Sequence, residues 1–242
     1  MNREKRVPFS KTYRFPFFVV CTIAAGIVAA GAQETPPPSG PMEDVKYVDI
    51  QPGQEKAALA ALKKYAAAAK KENDNVRMTL LQEERRPSRF VVIEKWKDEP
   101  AYSAHMAAAS STTLDSETSA LRRAPNDDRN GFDFLPSAGA EPPSSAVIVV
   151  SYVDVNPPNR QQTEGLLRGF ADAANKETGS LEFDVFRPKK QANLNHFIVI
   201  EAWSNAKDLA AHDKARTTLD FRRTVAPLMG ALYDDRAYKQ VE

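Results

Sequence analysis

The strongest constraint on this chain is that it is written twice. Residues 196–212, HFIVIEAWSNAKDLAAH, lie without a gap over residues 89–105, RFVVIEKWKDEPAYSAH. Phe197 falls on Phe90, Ile200 on Ile93, Glu201 on Glu94, Trp203 on Trp96 and His212 on His105, each 107 positions after its mate. Both tryptophans of the chain and two of its three histidines are accounted for in this way. Upstream the match continues at an offset of 105, where YVDIQP and YVDVNP pair Tyr47 with Tyr152, Asp49 with Asp154 and Pro52 with Pro157. The fold question is therefore what one repeat looks like and how two of them share a chain.

Each repeat opens with a strand, 45–50 and 146–155, and proline, having no N–H to give to a ladder, ends it. A helix follows, with Leu62, Tyr65, Ala66 and Ala69 forming one apolar stripe and Leu167, Phe170, Ala171 and Ala174 the other. Alternating segments at 76–82 and 181–186 read as second strands, and Gly179 as a helix stop. The duplicated stretch is a third strand that leads, through Asp98 or Asn205 as N-cap, into a second helix. That helix is expected to run through His212 towards Leu228, with a last strand at 236–241 matched by 130–135.

The order is β-α-β-β-α-β in each repeat, the ferredoxin-like plan with helices on one sheet face. In the third strand Phe197, Val199, Glu201 and Trp203 point one way and Ile198, Ile200 and Ala202 the other, so both faces ask to be covered. Two repeats packed sheet to sheet cover each other. The expected fold class is α+β, two tandem ferredoxin-like repeats forming an intramolecular dimeric α+β barrel. Proline- and serine-rich runs set the boundaries: a linker at 33–44, repeat 1 at 45–136, a linker at 137–145 and repeat 2 at 146–242.

Residues 1–32 read as an export signal: five basic residues, an apolar run from 15 to 32, and a small-residue Ala30-Gly31-Ala32 ending. Export to the periplasm or the extracellular space is expected, the alternative being a membrane anchor at 15–32. Cleavage removes Cys21, the only cysteine, and with it any disulfide or thiol chemistry. It also takes the formal charge from +1 to −3, which speaks against a nucleic-acid partner.

Each repeat resembles an antibiotic biosynthesis monooxygenase (ABM) domain, in which a strand reading apolar-x-Glu-x-Trp is followed by a helix carrying a His about nine residues after the Trp. Glu94, Trp96 and His105 match in the first repeat, and Glu201, Trp203 and His212 in the second. The resemblance implies a dimeric α+β barrel and oxidation of phenols or quinols by molecular oxygen, with neither metal nor flavin. A related branch degrades haem and uses an Asn on the first strand; here Asp49 and Asp154 are the polar residues there, so haem is disfavoured.

An oxygenase without a cofactor needs a water-poor pocket, a base to make a phenolate and a donor for the developing anion. His105 and His212 are candidate bases, with Glu94 and Glu201 as partners, against the competing reading of each as a structural hydrogen-bonding group repeated by duplication. Trp96 and Trp203, like Tyr47 and Tyr152, are candidate substrate-pocket residues, with core packing as the competing reading. His196 is matched by Arg89, so a duplicated metal site is excluded. The second repeat is the better candidate for a working site, since 110–129 lacks the apolar rhythm of Phe221, Val225 and Leu228. The alternative function is a non-catalytic binding protein holding an apolar ligand in the barrel cavity. Whether two such chains pair again is left open.

Overall fold

The computed structural model describes residues 40–136, 141–190 and 194–241. The expected export signal at 1–32 lies outside the described residues. Repeat 1 comprises β1 (Met42–Asp49), α1 (Glu55–Ala69), β2 (Asn75–Glu83), β3 (Arg89–Trp96), α2 (Glu99–Met106), α3 (Ala109–Thr118) and β4 (Asp127–Leu135). Repeat 2 comprises β5 (Val147–Asp154), α4 (Arg160–Ala174), β6 (Ser180–Pro188), β7 (His196–Trp203), α5 (Ala206–His212), α6 (Arg216–Val225) and β8 (Asp234–Gln240). β1 begins at Met42, inside the segment expected to be linker.

The strands close into one antiparallel barrel in the order β1-β3-β2-β8-β5-β7-β6-β4. The repeats are sealed together by their last strands, β4 pairing with β6 and β8 with β2. Alternation along the strands then sorts side chains into three cores. Val45, Val91, Ile93, Val150, Ile198 and Ile200 fill the lumen. On the outer faces, Phe90, Val92 and Trp96 pack under α1, and Phe197 and Val199 under α4. The strand expected to be buried on both faces is therefore covered by helices outside and by the opposite sheet inside.

The expected caps form: Asp98 Oδ1 accepts from Ala101 N at 2.9 Å, and Asn205 Oδ1 accepts from Lys207 N and Asp208 N at 3.0 Å. Gly179 takes a positive φ of 81°, and a Cβ there would run into the Asp208 side chain. One expectation is corrected. The second helix of each repeat is broken just after its histidine, because Ala108 and Ala215 are extended (ψ 156° and 143°). Alanine is a strong helix former and gives no local sign of a break, so the tertiary setting overrides it. Ala108 N and Ala215 N bond back to the carbonyls of His105 and His212, at 2.9 and 3.0 Å.

Among the described residues no helix is long and apolar enough to cross a membrane.

Candidate active site

The Glu, Trp and His of each repeat come together between sheet and helices. Glu201 and Trp203 share the helix-facing side of β7, and α5 brings His212 over them. Trp203 Nε1–H donates to Glu201 Oε2 at 3.1 Å, and His212 Nε2 lies 3.3 Å from the same oxygen. The Trp203 and His212 ring centroids are 4.3 Å apart, as are those of Trp96 and His105. In the first repeat Trp96 Nε1–H donates to Glu94 Oε2 at 3.2 Å, which is also 3.2 Å from His105 Nε2.

Each relay has further members that the motif did not reveal. His105 Nδ1 is 2.8 Å from Glu72 Oε2, and His212 Nδ1 is 3.0 Å from Glu177 Oε2. Ser110 donates to Glu72 at 2.7 Å and Thr217 to Glu177 at 3.0 Å, while Ser111 and Thr218 sit against the His rings. All three pairs obey the duplication offsets of 105 or 107, and that was the available signal. A carboxylate at Nδ1 fixes the imidazole so that Nε2 faces the inner Glu.

The two relays differ in what surrounds them. In the first repeat the Tyr65 hydroxyl donates to Glu94 Oε1 at 2.5 Å and lies 2.7 Å from His105 Nε2. Phe170 stands at the matching position in the second repeat, with no hydroxyl to offer. Beside Glu94, Tyr102 O–H donates to Asp44 Oδ2 at 3.3 Å and receives a bond from Asn130 at 3.4 Å, and Lys46 reaches Asp44 at 3.5 Å and Asp128 at 2.6 Å. The second repeat has Leu209 for Tyr102, Val149 for Asp44, Ala237 for Asn130 and Ser151 for Lys46. Three of these side chains, Leu209, Ala237 and Ser151, are smaller than their mates, and a cavity of about 340 Å³ opens there. Glu201, His212, Val149, Leu209 and Ala237 line it; Arg222, Asp235 and the Glu83–Arg86 turn of the first repeat form its rim. Its size is that of a small-ligand site. His105 borders a hollow of about 590 Å³ beside Glu72 and Ser110, which neither Glu94 nor Trp96 lines.

The same contrast appears in the electrostatics. Burial alone would raise Glu94, but the His105 hydrogen bond and the Lys46 charge outweigh it and hold the carboxyl below its ordinary range. Burial would lower His105, yet Glu94 and Glu72 hold it above its usual value. Glu201 is raised by burial, and the His212 charge and the Trp203 hydrogen bond offset this only in part. The first relay is a locked ion pair; the second holds a carboxyl that keeps its proton longer, beside open space.

Trp96 and Trp203 are fully buried and line no cavity among the described residues. Tyr47 and Tyr152 lie on the opposite, lumen-facing side of the sheet, where the Arg129 guanidinium stacks between their rings at 4.8 and 4.0 Å. Strand alternation separates them from both relays.

A family model described as antibiotic biosynthesis monooxygenase matches residues 44–113 and 146–224. No curated protein matches the sequence. A proposed monooxygenase of Fusobacterium nucleatum superposes with a TM-score of 0.74 at 14% identity, over 84% of this chain and 94% of its own. One of Lactobacillus acidophilus gives 0.67 at 12% identity, over 83% and 94%. An anthrone oxidase-like protein gives 0.65 at 12% identity, over 84% and 92%. At these identities the structural likenesses show the fold.

Proposed function

Because the chain belongs to the antibiotic biosynthesis monooxygenase family, and so to the monooxygenase-type oxidoreductases, we propose that it oxidises a small phenol or quinol with molecular oxygen in the cavity of its second repeat. The observation that carries this reading is the cavity lined by both the inner Glu and the His of the second relay, Glu201 and His212. The substrate ring packs on Val149, Leu209 and Ala237 with its hydroxyl towards His212 Nε2. His212 takes the phenolic proton, and Glu177, bonded to Nδ1, stabilises the imidazolium that results. The electron-rich phenolate then reacts with oxygen. One oxygen atom bonds to a ring carbon to give a quinone, the other leaves as water, and the substrate supplies all four electrons, so neither metal nor flavin takes part. Burial of Glu201 suits it to give or hold a proton as the oxygen adduct breaks down. In the same proposal residues 1–32 export the chain.

Oxygen uptake with a panel of phenols and hydroquinones tests the reading. Turnover that is lost in His212→Ala and kept in His105→Ala supports it. Tight binding of panel members without oxygen uptake would replace it with the binding-protein reading.

A further inference from the structure

A half turn about the barrel axis carries β1 onto β5, β3 onto β7, β2 onto β6 and β4 onto β8. Equivalent residues that touch must therefore lie on that axis. Arg77 and Glu182 are such a pair, 105 positions apart, both buried and joined as an ion pair. At the same end of the lumen Lys95 Nζ reaches Glu43 at 2.6 Å, Asp133 at 3.1 Å and Asp184 at 3.9 Å. The mates of these residues break the symmetry: Ile148 for Glu43, Ala202 for Lys95, Gln240 for Asp133 and Thr79 for Asp184. Both cations thus come from the first repeat, and the second contributes only Glu182 and Asp184.

We infer that this buried charge set makes pairing of the repeats strictly heterotypic: the sheet face of the second repeat accepts a first repeat and rejects a copy of itself. Pairing two second repeats would set Glu182 against Glu182 and gather four carboxylates with no cation. Pairing two first repeats would set Arg77 against Arg77 on the axis. Buried charges without a partner are strongly disfavoured, and like charges in contact more so. Even the native arrangement is short of positive charge: burial pushes Glu43 up to about 8 and Glu182 up to about 7, with Lys95 and Arg77 offsetting this only in part. A self-paired second repeat would lack those cations altogether. The consequence for function is that every barrel assembles with one relay whose inner Glu is sealed and one whose inner Glu lines a cavity.

The experiment is a charge swap across the axis in the intact chain, joined to a test of partner choice. Arg77→Glu and Glu182→Arg should each lower the melting midpoint by several degrees, and the double variant should recover most of the loss. A protease site placed between Pro136 and Glu141, cut after folding, then allows the halves to be unfolded, mixed and refolded. Native mass spectrometry should find one first half with one second half and no self-pairs. Self-paired halves in statistical proportion would overturn the inference. Should the halves fail to refold, the swap decides alone, and single variants without cost, or a double variant without rescue, would overturn it.

Discussion

In the first repeat the Glu94–His105 pair is sealed by Tyr65, Tyr102 and Lys46; in the second the Glu201–His212 pair stands beside Phe170, Leu209 and Ser151 and borders a cavity. The hydrogen-bonded frame of Glu, Trp, His and outer Glu is otherwise the same, to within a few tenths of an ångström in each contact. Duplication preserved the relay, while a handful of exchanges at its edge made one copy a packed ion pair and left the other, equally buried, bordering a cavity. A motif match therefore marks architecture in both copies, and what borders each copy is set by residues outside the motif.

The sharpest way to break this comparison is to remove each histidine in turn. His212→Ala is expected to lower kcat by about 10²–10⁴-fold, the usual contribution of a general base. His105→Ala should leave kcat within a few-fold and cost about 3–5 kcal/mol in denaturant unfolding, because it strands the buried Glu94 charge. Equal loss of turnover in both variants would end the distinction between the repeats.

Next in size is copying the first repeat's filling into the second. Leu209→Tyr with Ala237→Asn should reduce kcat/KM at least about tenfold, or about 1.4 kcal/mol of transition-state binding, with the far-UV spectrum unchanged. Full activity in this variant would mean that the cavity is not the site. A smaller effect is expected from exchanging the helix residue. Tyr65→Phe removes the hydroxyl shared by Glu94 and His105 and should cost about 1–3 kcal/mol of stability, measured by urea unfolding, with no change in turnover. Phe170→Tyr places a phenol against Glu201 and His212, and should raise KM for a phenolic substrate.

The smallest effects lie in pH. Glu94, held low, contributes stability that is present above its unfolded pKa and is lost as pH falls through its folded value. His105, held high, contributes stability that is complete below its unfolded pKa and is lost as pH rises through its folded value. Glu201 is raised, so its carboxylate costs stability above its folded pKa and the cost disappears as pH falls below its unfolded one. Melting curves should therefore show Glu201→Gln gaining on the parent towards alkaline pH, and Glu94→Gln losing to it there. The opposite order would reverse the assignment of locked and open relays.

The sequence by itself determined the repeat, its strand and helix order and the barrel, because hydrophobic periodicity and a gapless offset are local, additive signals. It also placed Glu, Trp and His on one strand and one helix of each copy, since alternation and helical spacing follow from backbone geometry. Tertiary structure alone decided that Tyr47 and Tyr152 face the lumen, away from His105 and His212, and that Ala108 and Ala215 break their helices. It alone supplied Glu72 and Glu177, each more than thirty positions from its histidine in sequence. The cavity was out of reach for the same reason. It is the space left by Leu209, Ala237 and Ser151, residues on different elements whose volumes add up only once β5, β8 and α5 are brought together.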